Sequence, residues 1–128
     1  MTIQDIKNIL HAEILWADEE MLSHEVHTAC GSDMMSDVLA FVKDQAVLLT
    51  GLVNPQVIRT AEMMDIVCIV FVRGKMPDPS MIGLAEERGI ALLSCGQRVF
   101  LRKFGKKLPE KFAGFKIMRT FASQKQKW

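Results

Sequence analysis

The sequence predicts a three-layer α/β/α sandwich with a mainly parallel sheet. Between Ala46 and Ser94, apolar segments alternate with segments that open on Asn-Pro or Asp-Pro, which are typical helix starts. The apolar segments lack the polar alternation of a half-exposed strand, so we expect them to be covered on both faces. The resulting order, strand, helix, strand, helix, strand, joins parallel strands through right-handed crossovers.

The sequence pattern at the N-terminus predicts a helix followed by a strand. Thr2 can cap the helix together with Asp5, in an acidic variant of the capping box. The apolar stripe of this helix consists of Ile3, Ile6, Ile9 and Leu10. The segment AEILW (residues 12–16) is short enough for a strand. We interpret the acidic residues 18–20 that follow as a solvated loop.

The segment LSHEVHTAC (residues 22–30) alternates between polar and apolar residues, which predicts a second strand. The alternation places on one face Val26, Thr28 and Cys30, and on the other His27 and Ala29. A helix is expected in GSDMMSDVLAFVKD (residues 31–44), where Gly31 ends the strand and Ser32 or Asp33 caps the helix.

The rest of the body predicts three strands and two helices. The strands are expected in AVLLTGL (residues 46–52), DIVCIVFV (residues 65–72) and IALLS (residues 90–94). The helix starts are Asn54-Pro55 and Asp78-Pro79, and Gly89 ends the second helix. The first of these helices directs inward Val57, Ile58, Ala61 and Met64.

The composition is that of one soluble globular domain. With 49% hydrophobic and 24% charged residues in 128, the chain is typical neither of disordered nor of fibrous proteins. Its longest apolar run, IVCIVFV, has seven residues, far fewer than the roughly 20 that span a membrane. The N-terminus lacks the regions of a signal peptide, so we expect a cytoplasmic protein.

The cysteines and histidines do not predict a metal site. Cys30, Cys68 and Cys95 form no C-x-x-C pair, which favours buried thiols in a reducing compartment over disulfides. His24, His27 and Cys30 have the spacing H-x-x-H-x-x-C, but in a strand His27 would face away from the other two. We therefore expect no metal and no cofactor.

The expected ligand site is the edge of the sheet at which the parallel strands end. Ligands of open α/β sheets bind there, where helix N-termini present N–H groups. Two cations, hydroxyl groups and the positive end of a helix dipole would suit a small anionic ligand. The candidate residues are Thr50, Gly51, Asn54, Arg73, Gly74, Lys75 and Ser94.

The same edge lacks the motifs of nucleotide-hydrolysing enzymes. A phosphate-binding loop requires G-x-x-x-x-G-K-[ST], whereas here Gly51 is followed by Leu52 and Val53. The dinucleotide motif G-x-G-x-x-G and the nucleophile motif G-x-S-x-G are absent as well. We expect no catalytic residues.

Four segments together resemble the DRTGG domain family. They are GSDMMSDVLAFV, LLTGLVNPQVIRTAEMMDI, IVFVRGKMPD and AEERGIALLS, and the resemblance runs from about Ile3 to Ser94. It implies the three-layer fold of the HPr kinase N-terminal domain. Members of the family occur in phosphotransacetylases, beside CBS domains in some inorganic pyrophosphatases, and as short free-standing proteins. There the domain is regarded as regulatory rather than catalytic, and it tends to self-associate.

The resemblance also implies which positions are characteristic of the family. These positions are Asp33, Asp37, Thr50, Gly51, Asn54, Arg59, Thr60, Glu62 and Gly74. They add Arg59 to the candidate ligand-binding residues.

The end of the chain departs from the family pattern. Residues 1–95, the DRTGG-like domain, contain 6 Lys and Arg against 14 Asp and Glu, whereas residues 96–128, a basic and Phe-containing extension, contain 10 against 1. These opposite charges favour an extension that packs on the body or at an interface. Basic segments with interleaved aromatic residues also occur in proteins that bind nucleic acid or anionic surfaces, but we do not expect nucleic acid or a membrane as the partner.

The sequence leaves two functional hypotheses. The first is a free-standing, homodimeric regulatory module that modulates an unidentified protein partner and has no catalytic activity. The second is a sensor that binds a small anionic metabolite or nucleotide at the carboxyl ends of the parallel strands.

Overall fold

The structure is a computed structural model that describes residues 1–31 and 46–96, together with the backbone of residues 116–119. The described helices are α1 (Ile3–Leu10), α2 (Glu19–Leu22), α3 (Pro55–Met63) and α4 (Pro79–Arg88). The described strands are β1 (Glu13–Trp16), β2 (Thr28–Gly31), β3 (Ala46–Thr50), β4 (Cys68–Phe71), β5 (Ala91–Ser94) and β6 (Lys116–Arg119). None of the described helices has the length and apolar character that a membrane span requires.

The strands form one mixed sheet in the order β1-β5-β4-β3-β2-β6. The pairs β2–β3, β3–β4, β4–β5 and β2–β6 are parallel, and β1 alone runs antiparallel to its neighbour β5. The predicted α/β sandwich with a mainly parallel sheet is therefore confirmed. The strands predicted in residues 46–94 are all present, with somewhat shorter bounds.

Two apolar clusters cover the two faces of the sheet. On one face, Ile3, Ile6 and Leu10 of α1 pack against residues such as Val47 and Val70. On the other face, α3 and α4 pack against residues such as Leu48 and Phe71. Because β3, β4 and β5 are adjacent and follow one another in the chain, right-handed crossovers place α3 and α4 on the same face.

The helix boundaries follow the predicted capping residues. Thr2 and Asp5 form a reciprocal capping box at α1, with the Asp5 N–H donating to the Thr2 hydroxyl and the Thr2 N–H donating to the Asp5 carboxylate. Asp78 accepts from the Met81 N–H at the start of α4, and Gly89 ends that helix in the left-handed conformation. These predictions are confirmed.

The predicted strand at residues 22–30 is wrong in its extent. Only Thr28–Gly31 pairs with β3, and Gly31 belongs to the strand because it aligns with Leu49. Val26 lies in the α1-side core, whereas Cys30 lies in the α3-side core, so these two residues do not share a face. The reason is that the segment before β2 bonds to the N-terminus, with the Val26 N–H donating to the Met1 carbonyl at 2.7 Å.

The acidic residues 18–20 are exposed, as predicted, but the predicted loop is wrong, because a short helix, α2, begins directly after Asp18. Glu19 and Glu20 lie in its first turn, where their negative charges interact favourably with the positive end of the helix dipole. Met21 and Leu22 at its end pack against the α1-side core.

All three cysteines are buried and free, as expected for apolar fillers. The helix predicted in residues 31–44 and most of the basic extension lie outside the described residues.

Candidate functional site

Three loops meet at the carboxyl edge of the sheet. The first follows β3, the second follows β4 and the third follows β5. Thr50, the last residue of β3, aligns with Phe71, the last residue of β4, and Phe71 aligns with Ser94, the last residue of β5. Because these ends are level, the segments that follow leave from the same edge. The structure therefore brings together the loops that carry the candidates Thr50, Gly51, Asn54, Arg73, Gly74, Lys75 and Ser94.

Thr50 fixes the start of the first loop. Its hydroxyl is buried and accepts a hydrogen bond of 3.1 Å from the Leu52 N–H. Its carbonyl accepts a hydrogen bond of 3.0 Å from the Val72 N–H, beyond the end of β4. Thr50 thus shapes the first loop through its hydroxyl and connects it to the second loop through one backbone hydrogen bond.

The second loop is a tight turn built from two consecutive left-handed residues, Arg73 (φ 60°) and Gly74 (φ 71°). The Lys75 N–H donates to the Val72 carbonyl at 3.2 Å, and the Gly74 N–H donates to the Cys95 carbonyl at 3.1 Å. The left-handed conformation is natural for Gly74 but unusual for Arg73. The turn leaves Arg73 and Lys75 exposed.

The guanidinium group of Arg73 lies against the backbone of Gly51. A Cβ atom at Gly51 would stand 1.9 Å from Arg73 Nη2 and 2.7 Å from its Cζ. Only a glycine leaves room for this approach. The permanent positive charge of Arg73 is therefore held over the loop that leads into α3.

The two helices that start at this edge differ in their N-terminal capping. At α4, Asp78 accepts hydrogen bonds from the Ser80 hydroxyl and the Met81 N–H, which hold the pKa of its carboxyl group below the usual range. At α3, Asn54 occupies the capping position but its side chain makes no capping bond, contrary to our expectation. Within the described residues, Asn54 Oδ1 is buried without a hydrogen-bond partner.

The third loop begins at Cys95, directly after Ser94 at the end of β5. The Ser94 hydroxyl donates to the Lys75 carbonyl at 3.5 Å, and the Cys95 N–H donates to the Phe71 carbonyl at 2.8 Å. The Cys95 thiol donates to the Leu10 carbonyl at 3.5 Å. Sequence reasoning treated Cys95 only as a filler and missed that it connects the second loop, the sheet and α1.

The residues considered for a metal site are not arranged as expected. His24 and His27 precede β2, so the alternation of a strand does not apply to them. Within residues 1–31 and 46–96, no three His, Cys, Asp or Glu side chains are grouped so that they could hold a metal ion.

The family follows from comparison with known proteins. The family sequence model of the DRTGG domain matches residues 5–100, which are three quarters of the chain. This chain belongs to the DRTGG domain family. No curated protein matches it in sequence.

A solved structure shares the fold of this DRTGG domain. It is the crystal structure of the CBS and DRTGG domains of the regulatory region of Clostridium perfringens pyrophosphatase, complexed with the activator diadenosine tetraphosphate. The identity is 16% and the TM-score 0.67, over 84% of this chain and 47% of the other. The present chain therefore spans about half the length of that structure, and at this identity the likeness shows the fold.

Of the other positions that the resemblance implies, Arg59, Thr60 and Glu62 lie on α3 rather than in the loops. Arg59 is exposed, one turn into the helix, so the structure does not place it in the loop cluster. Thr60 is fully buried, and its hydroxyl has no partner among the described residues. Glu62 forms an ion pair of 3.2 Å with Arg88, which connects α3 to α4. Asp33 and Asp37 lie outside the described residues.

Proposed function

We propose that this DRTGG domain is a cytoplasmic, homodimeric regulatory module that modulates a partner protein and has no catalytic activity of its own. The observation that carries this proposal is the use of the hydroxyl groups at the carboxyl edge. Thr50 Oγ1 accepts from a backbone N–H, and Ser94 Oγ donates to a backbone carbonyl. Both side chains shape loops, which is the task of a binding surface rather than of a nucleophile.

The solved relative supports a regulatory role, since its CBS and DRTGG domains belong to the regulatory region of a pyrophosphatase. Two exposed methionines support contact with another protein. Met63 is 71% exposed at the end of α3, and Met76 is 55% exposed in the loop after β4. Methionine is suited to adaptable protein contacts.

Size-exclusion chromatography with light scattering tests the homodimer. A regulatory module of this kind is expected to elute at twice the mass of its 14.4 kDa chain at micromolar concentration. A single species at the mass of one chain over that range contradicts the homodimer. It leaves the ligand hypothesis below intact.

A second function is favoured by the contact between Arg73 and Gly51. We propose that a small anionic metabolite or nucleotide binds at the carboxyl edge and acts as the regulatory signal. Arg73 and Lys75 supply positive charge there, and the uncapped first turn of α3 supplies N–H groups. Thr50, Gly51, Asn54, Gly74 and Ser94 shape this site in the proposal. The candidate Arg59 lies one turn into α3, outside the loops.

Thermal unfolding tests the anion site. The chain is heated with inorganic phosphate, acetyl phosphate, ATP or diadenosine tetraphosphate, each compared with chloride at equal ionic strength. A ligand that binds only the folded chain stabilises it by about 2.7 kcal/mol at a hundredfold excess over its Kd, which raises the Tm by several degrees.

Two matched variants test whether the shift in Tm comes from binding at Arg73. Arg73→Ala removes the cation over Gly51 and is expected to abolish the shift in Tm. Lys7→Ala removes a cation from α1, on the opposite face of the sheet, and is expected to keep the shift. Equal shifts in both variants, or no shift with any anion in the wild-type chain, would exclude this site.

A further inference from the structure

The face of the sheet on which α1 packs, the α1-side face, is wider than the described helices that lie on it. Six strands about 4.8 Å apart form a sheet about 24 Å wide, whereas a helix with its side chains is about 10–12 Å wide. α1 has 8 residues and α2 has 4. This face nevertheless has fully buried residues in each strand from β2 to β5, among them Ala29, Val47, Val70 and Leu93. α1 and α2 are too small to cover it by themselves.

The strand order indicates which segment of the chain reaches this face. β6 is parallel to β5, because every pair from β6 through β2, β3 and β4 to β5 is parallel. The step from β5 to β6 crosses the sheet in the direction opposite to the steps from β2 to β5. A right-handed crossover then assigns the connection from β5 to β6 to the face opposite α3 and α4, which is the α1-side face. The same rule assigns residues 32–45, between β2 and β3, to the side of α3.

The connection from β5 to β6 has ample length for this crossing. It passes four strand spacings, about 19 Å, and returns from the carboxyl to the amino edge along a strand about 13 Å long. Residues 97–115 could span about 60 Å if fully extended. The segment therefore has residues to spare for packing against the sheet.

The composition of residues 97–115 suits an apolar face beside an acidic surface. The segment contains 6 Lys and Arg against 1 Glu, whereas residues 1–31, which include α1 and α2, contain 1 Lys against 6 Asp and Glu. Opposite charges favour contact between the two segments. Phenylalanine adds apolar area, roughly 150–250 Å² for each buried ring. The phenylalanines of the segment are Phe100, Phe104, Phe112 and Phe115.

We propose that the α1-side face is the docking surface of this chain's own basic segment, residues 97–115. The segment is then a layer of the domain, and the acidic residues of the N-terminal part neutralise its positive charge. This accounts for a basic and aromatic extension in a protein for which we expect no nucleic acid partner. The inference depends neither on the anion site nor on the homodimer, because it concerns a different surface.

Paramagnetic labelling of the full-length chain tests the proposal. A nitroxide attached to Asn8→Cys lies on the exposed side of α1, and one attached to Glu86→Cys lies on the exposed side of α4, beyond the opposite face. The three native thiols are buried, so the label attaches to the introduced cysteine. The label on α1 is expected to broaden the NMR signals of residues 97–115 severalfold more than the label on α4. Equal broadening, or stronger broadening from α4, would overturn the proposal.

A mixed sample distinguishes contact within one chain from contact between two copies. Spin-labelled chains without isotope enrichment are mixed with enriched chains that carry no spin label. Residues 97–115 of the enriched chains are expected to keep their signal intensities. Broadening in the mixed sample as strong as in the singly labelled chain would assign the contact to a second copy and contradict docking within the chain.

Nucleic acid is the competing occupant of the basic segment. A single-stranded DNA of mixed sequence is added to the Asn8→Cys chain at physiological salt, where non-specific binding is weak. The broadening of residues 97–115 is expected to persist. Its loss on addition of DNA would show that the segment prefers nucleic acid to the α1-side face, which would also overturn the proposal.

Discussion

Arg73 Nη2 occupies the space that a Cβ atom of residue 51 would need, 1.9 Å from its ideal position. The contact joins the loop after β3 to the turn after β4. It explains in physical terms why a glycine suits position 51. It also holds a positive charge where the proposed anion would bind.

Gly51→Ala is expected to displace the Arg73 side chain. Because the clashing atoms are the far end of a flexible side chain, the free energy of unfolding should fall by only about 1 kcal/mol or less. In an Arg73→Ala background the same change should cost less, since the clash is gone. Urea unfolding of both single variants and the double variant measures this coupling. Strictly additive effects would refute the contact.

The glycine inside α4 and the glycine that ends it are expected to respond in opposite ways to substitution by alanine. Gly83 lies inside the helix with open space around it, so Gly83→Ala should raise the free energy of unfolding by roughly 0.5–1 kcal/mol. Gly89 ends the helix at φ 69°, so Gly89→Ala should lower it by about 1 kcal/mol. Chemical denaturation compares the two variants. Changes of the same sign would contradict the left-handed cap.

The parts of the fold that could be predicted are those that local sequence determines. Asn54-Pro55 and Asp78-Pro79 start helices because proline suits the first helical position, where its missing N–H costs nothing. The buried strands around Leu48 and Ile69 show as apolar runs because helices cover both faces. Their parallel order then brings the candidate loops to one edge.

The parts that could not be predicted depend on contacts distant in sequence. The length of β2 is limited by the bond between the Val26 N–H and the Met1 carbonyl, which no local pattern reveals. The pairing of β1 with β5 and of β6 with β2 is likewise non-local. In the candidate site, Arg73 approaches Gly51 from a left-handed backbone conformation, which backbone propensity disfavours.

The Asp78 cap makes the start of α4 sensitive to acid. Hydrogen bonds from Ser80 and the Met81 N–H lower the pKa of this carboxyl group in the folded state, relative to its ordinary value of 3.8. Its stabilising effect is therefore fully present above that value and is lost as the pH falls through the lower folded pKa.

The comparison of wild type with Asp78→Asn isolates this effect. Asparagine can cap the helix but does not titrate in this range, so the difference in stability between the two chains should shrink as the pH falls below about 4. Ser80→Ala removes one of the two hydrogen bonds and should weaken the pH dependence. Urea unfolding between pH 2.5 and pH 6 measures the differences. A difference that is constant over this range would exclude the lowered pKa.

Cys68 is expected to make the protein sensitive to alkaline pH. Its side chain is fully buried in β4, and burial raises the pKa of the thiol far above the ordinary value of 9.0. In the unfolded chain the thiol ionises near that ordinary value. Stability from the neutral buried thiol is thus complete below about pH 9 and declines as the pH rises further.

Cys68→Ala provides the matched comparison for this alkaline effect, because it keeps the position apolar and removes the titration. Relative to this variant, the unfolding equilibrium constant of the wild-type chain should rise by up to roughly tenfold per pH unit above pH 9. Below pH 8 the difference between the two chains should be constant. If the two pH profiles stay parallel from pH 7 to pH 10.5, the thiol ionises as readily in the folded chain as in the unfolded chain. That result would contradict the raised pKa of Cys68.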